Sequence, residues 1–235
     1  EIISSAYKVL RHNGVDVSLF YDGCCGMPQL EQGNIERVAK QAKDISKKLV
    51  NLIEEGINVI VPIPSCALML KTEWPLLLSQ DKNVKILSKN TMDIDEYIIT
   101  LSEKEGIVED LKPLAGDITV HMSCHSRAQN IGPKSAQMLR LIPETKVNVV
   151  ERCSGHGGSW GIKKDNFDTA IKVGKISAKN IMKYNTKYFA STCPLAGDHI
   201  VQISEIEKKE DLKPLDAPSH PIELIAISYN LTKNK

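Results

Sequence analysis

A chain of 235 residues, 42% hydrophobic and 25% charged, is long enough to bury its own core as one large domain or two of ordinary size. Thirty basic residues balance 29 acidic ones and aromatic residues make up only 5%, so neither a charged nucleic-acid surface nor a base-stacking platform is expected. No run of about 18 apolar residues occurs, so no transmembrane span is expected. With no secretory leader either, the six cysteines are expected in a reducing, cytoplasmic setting, as ligands or redox groups rather than disulfide staples.

In chain order, Ile2, Ile3, Ala6, Val9 and Leu10 form a helical stripe that Asn13-Gly14 ends. The chain opens inside this helix and without Met, so it is expected to be a fragment of a longer protein. A short strand over 15–21 follows, then the turn-rich Asp22-Gly23-Cys24-Cys25-Gly26-Met27-Pro28. From Asn34 an amphipathic helix carries Ile35, Val38, Ala42, Ile45, Leu49 and Leu52 on one face, with Gly56 suited to its C′ position. The apolar run 58–63 reads as a buried strand closing on Pro64-Ser65-Cys66. A helix from about Ala67, a strand at 84–87 and a helix at 94–105 complete the first half.

Residues 106–116 read as a linker. The second half opens with a strand at 117–122 that ends at Ser123-Cys124-His125. A helix around 135–141 and a strand at 147–150 lead into Glu151-Arg152-Cys153-Ser154-Gly155-His156. Asp165 is placed as the cap of a helix running to about Tyr184. The strand 188–191 ends at Thr192-Cys193-Pro194, and Pro221 opens a last helix over 222–231.

The halves share their punctuation. Cys24-Cys25-Gly26 matches Cys153-Ser154-Gly155, and Pro64-Ser65-Cys66 matches Ser191-Thr192-Cys193. This implies an α/β fold of two tandem βαβ-type units with parallel sheets, 1–112 and 113–235, related by internal duplication. By the same repeat, the first unit is expected to have a cysteine-ended strand about five residues before Glu1.

Cys24, Cys25, Cys66, Cys124, Cys153 and Cys193 all fall just past expected strand ends. In a parallel sheet those ends share one edge, where ligand sites form, so cysteines far apart in sequence can meet there. Thiolates at such a place point to a metal or iron–sulfur centre. The set Cys124, Cys153 and Cys193, with His156 as fourth ligand, is expected to be the better formed of the two. His125 is a weaker candidate, and His121 reads as a strand histidine without a ligand role.

Taken in order, these cysteines with Met27-Pro28, His125-Ser126-Arg127-Ala128-Gln129, His156-Gly157-Gly158 and His220-Pro221 resemble the cysteine-rich CCG-domain family of Fe–S oxidoreductases. The resemblance implies an electron-transfer subunit holding an iron–sulfur cluster of the 4Fe–4S kind, with zinc as a substitute metal. It also implies a flavin-bearing dehydrogenase subunit or other redox partner, and peripheral association with the inner face of a membrane through that complex. The chain departs from the full family pattern at Ser154, Ala196 and Ile63, each standing where a cysteine is expected.

Two other readings come from the same residues. A structural zinc module that docks a partner would use the same cysteines without redox chemistry. Gly157-x-Ser159-x-Gly161, with Asp198-His199 downstream, matches the nucleophile elbow of a serine hydrolase, although that motif needs its strand to run directly into the turn.

Overall fold

The computed structural model describes residues 1–210 and 212–232. Helix α1 (Ile2–His12) buries Ala6, Val9 and Leu10, and Asn13 Nδ2 donates to the Val9 carbonyl at 2.9 Å where the helix stops. After the short α2 (Met27–Glu31), the Asn34 side chain accepts the Arg37 N–H and starts α3 (Ile35–Glu54). Val38, Ala42, Ile45 and Leu49 form its buried stripe, as the periodicity implies.

Strand β1 (Val59–Val61) runs into α4 (Pro64–Leu68), with Pro64 at the first helical position. The helix then widens into a π-turn over Met69–Glu73 before α5 (Trp74–Leu77). Pro75 explains the widening: it has no N–H for the Lys71 carbonyl four residues back. That carbonyl accepts instead from Ser88 Oγ at 2.7 Å, on α6 (Lys82–Lys89). Strand β2 (Thr91–Asp93) pairs in parallel with β1 and leads into α7 (Ile94–Lys104) through a capping box of Asp93 and Glu96.

The second half contains β3 (Ile118–His121), α8 (Cys124–Ala128), α9 (Lys134–Leu139), β4 (Val147–Val150), α10 (Lys164–Met182), β5 (Tyr188–Ser191), α11 (Pro194–Glu207) and α12 (Pro221–Ser228). Its sheet is parallel in the order β4-β3-β5, with β3 buried along its whole length. Ser219 adds a parallel bridge to Ala190 on β5, and His220 with Glu223 then forms the capping box of α12. The pairing of β1 with β2 ahead of a boxed helix is thus repeated by β5 and Ser219. The α/β class, parallel strands and internal duplication agree with the sequence.

Three local readings are corrected and one helix is added. Residues 15–21 are extended but join no ladder among the described residues, leaving Leu19, Phe20 and Tyr21 exposed. The expected strand at 84–87 is helix α6, because Asp81 Oδ1 accepts from the N–H groups of Asn83 and Val84, and Val84 and Leu87 face inward at helical spacing. The strand lies instead at β2, whose three residues are too few to show an alternation. Asp165 sits inside α10, whose N-cap is Lys163, and helix α11, absent from the expected elements, buries Ala196, Ile200 and Ile203 at helical spacing behind Pro194 at its first position.

The helix starts also refine the repeat. Ile63 caps α4 and Cys193 caps α11, and each is followed by a proline. Cys66 therefore occupies the third helical position, where the second half has Ala196. The cysteines of the two halves stand at complementary places in one shared frame.

One apolar core crosses the boundary between the halves, joining Val9 and Leu10 of α1, Ile94 and Ile98 of α7, Ile118 and Val120 of β3, and Ile222 and Ile225 of α12. The expected linker is stitched down: Val108 N–H donates to Asn13 Oδ1 at 2.8 Å and Lys112 N–H to the Ser228 carbonyl at 3.0 Å. No helix among the described residues is long and apolar enough to cross a membrane.

Candidate metal centre

In the first half, the loop before α2 carries Cys24 and Cys25 to the start of α4, where Cys66 sits. The Cys25 thiol donates to Cys66 Sγ at 3.0 Å, and Cys24 Sγ accepts the Gly26 N–H at 3.4 Å. Gly26 has φ +88, a left-handed conformation that lets the chain turn from the cysteines into α2. The bond to Cys66, then burial, drives the Cys25 thiol well above the ordinary range. Receiving that bond lowers Cys66, against its own burial.

The second half repeats the glycine-to-sulfur part of this frame. Cys153 Sγ accepts the Gly155 N–H at 3.4 Å, as Cys24 does from Gly26. Cys124 opens α8 and Cys193 caps α11. Burial raises the Cys193 thiol, the N–H groups of Ala196 and Leu195 oppose that, and nearby Cys124 adds to it. The closest sulfur approach thus falls in the first set, whereas the sequence expects the second to be the better formed. Among the described residues, no group of three or more Cys, His, Asp or Glu side chains is gathered for one ion; Cys25 pairs with Cys66, and Cys24 and Cys153 accept from glycine N–H groups.

His156 is buried beside His199, ring centroids 6.0 Å apart, and burial followed by that neighbour lowers its pKa. Burial likewise lowers His125, against the pull of Glu31 and Glu73. Ser159 meets Glu31 Oε2 through its backbone N–H at 3.4 Å, and β4 ends before Cys153, so the strand-to-elbow geometry of a serine hydrolase is not built.

Several residues that position the cysteines gave no signal in the sequence. Trp74 is fully buried, and its indole N–H donates to the Cys25 carbonyl at 3.0 Å. His121 ties two loops, with Nε2 2.9 Å from the Arg152 carbonyl and Nδ1 3.2 Å from Ser191 Oγ, which itself donates to the Cys193 carbonyl at 2.9 Å. Thr192 Oγ1 accepts from Ser123 N–H at 3.2 Å and from Ser126 Oγ at 2.9 Å, fixing the entrance to Cys193 against α8. Such bonds depend on long-range register, which residue spacing does not reveal.

Thiols from separate loops, with glycine N–H groups aimed at sulfur, suit a negatively charged thiolate-held centre. Tandem parallel α/β units, with Cys66, Cys124, Cys153 and Cys193 after strands and Cys24-Cys25 after an extended segment, define a duplicated cysteine-rich module. The chain belongs to the CCG cysteine-rich domain family, whose model matches residues 3–71 and 118–196, one match in each half. It is 26% identical over 189 residues to a subunit of the anaerobic glycerol-3-phosphate dehydrogenase of Escherichia coli, covering 79% of this chain and 47% of that protein. It is 27% identical over 229 residues to a subunit of the fumarate reductase (CoM/CoB) of Methanothermobacter marburgensis, covering 95% and 42%. With lactate utilization protein A of a Geobacillus species it shares 28% over 177 residues, 70% and 68% of the two chains. The chain spans about half the length of the first two relatives.

Proposed function

We propose that this chain is the cluster-holding part of an iron–sulfur electron-transfer subunit of an oxidoreductase. Cys24, Cys25 and Cys66 hold one centre; Cys124, Cys153 and Cys193, with His156 close by in sequence, hold the other. The observation that carries this reading is the meeting of first-half thiols from two loops, Cys25 against Cys66 at 3.0 Å, in a chain whose halves both match the cysteine-rich family.

A bound cluster of the 4Fe–4S kind supplies one-electron redox chemistry. The protein's own residues set its surroundings. Gly26 and Gly155 direct N–H groups at Cys24 and Cys153, donors that a thiolate-held centre uses. Cys25, Cys66 and Cys193 are partly buried, while Cys24, Cys124 and Cys153 are exposed and within reach of a partner. Relatives named as dehydrogenase and reductase subunits support another redox subunit as that partner; a flavin-bearing subunit, in a complex at the cytoplasmic face of a membrane, is what the family resemblance implies.

Anaerobic reconstitution with iron and sulfide, followed by metal and acid-labile sulfide analysis and electron paramagnetic resonance, tests the proposal. A brown protein with equal iron and sulfide and a cluster signal on reduction is expected. A colourless protein that retains only zinc overturns it in favour of a structural metal module.

A further inference from the structure

The two sets of cysteines are joined by an almost continuous run of hydrogen bonds, and its middle member is Gln129. At one end, Thr192, beside Cys193, accepts from Ser126 Oγ at 2.9 Å and donates to Ser123 Oγ at 2.9 Å. Ser123 caps α8, which begins at Cys124 and has Gln129 as its C-cap. The Gln129 amide reaches into the first half at three points. Its Nε2 donates to Asp93 Oδ2 at 2.9 Å and, at 3.5 Å, to the Pro64 carbonyl, while its Oε1 accepts from Lys71 Nζ at 3.2 Å.

Each partner is held in turn. Asp93 is buried as the N-cap of α7. Lys71 is paired with Glu96 at 2.6 Å with both side chains largely buried. Pro64 lies two residues before Cys66 on α4, and α4 packs against α8. A half-buried amide with both ends engaged by fixed groups has little freedom to swing, so a shift of α8 is passed to the start of α4.

We infer that Gln129 is a positioning residue that couples the two cysteine sites, so that occupation of one set steadies the thiols of the other. This rests on the reading of the cysteines as ligands. Coupling through packed helices and hydrogen bonds needs a demonstrated energetic link rather than spatial continuity alone, and a double-mutant cycle supplies it.

The full chain is reconstituted anaerobically with iron and sulfide, and alkylation by iodoacetamide is followed cysteine by cysteine by mass spectrometry. Cys193→Ala weakens the second site. In the Gln129 background it is expected to speed alkylation of Cys25 and Cys66 at least five-fold, the low end for coupled sites. Gln129→Met keeps length and apolar contact but removes the bonds, and in that background Cys193→Ala is expected to change the same rates less than about two-fold. Asp93→Asn repeats the test from the other end, since the N-cap oxygen remains while the acceptor for Gln129 is replaced by a donor. Equal effects of Cys193→Ala in both backgrounds, with iron still taken up, overturn the coupling alone. Failure of the unmutated chain to take up iron overturns the ligand reading and the coupling together.

Discussion

Trp74 and Cys25 are 49 residues apart and share one hydrogen bond, indole N–H to carbonyl oxygen at 3.0 Å, with the ring sealed from solvent. The π-turn that Pro75 forces lies immediately before Trp74, so helix geometry after Cys66 and loop geometry at Cys25 are set together. Trp74→Phe keeps most of the packing and leaves that carbonyl without its donor. Urea unfolding is expected to show a loss of about 1–3 kcal/mol. Alkylation of Cys25 should quicken while that of Cys153 and Cys193 holds steady. Equal acceleration at all cysteines would mean that Trp74 acts through global stability alone.

Oxidation of the metal-free protein should be selective. Cys25 and Cys66 are in contact at 3.0 Å. A low-molecular-weight disulfide can accept two electrons and two protons from the two thiols and leave as two thiols, with one bond formed between Cys25 and Cys66. Peptide mapping after such treatment is expected to find the cross-link of Cys25 with Cys66 as the main product. A dominant bond between Cys24 and Cys25, or between Cys124 and Cys193, would contradict the geometry.

His220 makes stability depend on pH. Its Nδ1 accepts the Ile222 N–H at 3.3 Å as the cap of α12, and burial lowers its pKa from 6.5 to about 4. The unfolded chain takes up this proton near pH 6.5 and the folded chain only near 4, so stability is full above 6.5 and falls as pH drops toward 4. The loss over that window is about 3 kcal/mol, from roughly 1.4 kcal/mol per pKa unit. Denaturant midpoints at about pH 7 and about pH 4.5, on either side of most of that fall, measure it. His220→Asn keeps a capping oxygen without the titration and should flatten this part of the profile.

Gly174 lets α10 approach the loop that follows Cys153. A methyl group there would collide with the Ser154 carbonyl oxygen and Ile203 Cδ1. Gly174→Ala is expected to destabilise the protein by about 1–3 kcal/mol, reversing the usual gain of Ala over Gly in a helix. Thermal unfolding measures the change, and because the displaced loop carries Cys153, its alkylation should accelerate more than that of Cys66.

How much of this was legible in the sequence follows from the reach of each signal. The long stripe of α3 and the apolar run ending in β1 are local patterns, so both appear without a structure. Residues 15–21 look like a strand because they are apolar and extended, but a ladder also needs a neighbour, which local pattern does not report. Val84 and Leu87 fit a short strand as well as one helical turn, and the Asp81 cap settles the matter for the helix. The six cysteines were legible because Gly and Pro punctuate both copies alike. The side chains that fix them, Trp74, His121 and Gln129, became visible only through contacts that span 31 to 70 residues.

The parallel order β4-β3-β5 also divides the molecule into a chemical pole and a mechanical one. Loops leaving β3, β4 and β5 carry Cys124, Cys153 and Cys193, whereas the turns entering β4 and β5 contain Glu144 and Asn185 with φ +54 and +47. A residue added to a leaving loop moves sulfur relative to sulfur. One added at an entering turn only lengthens the far end of the sheet. Residues 144–145 and 185–186 are therefore where a spectroscopic label or an affinity peptide belongs, a strand's length away from every thiol of that half.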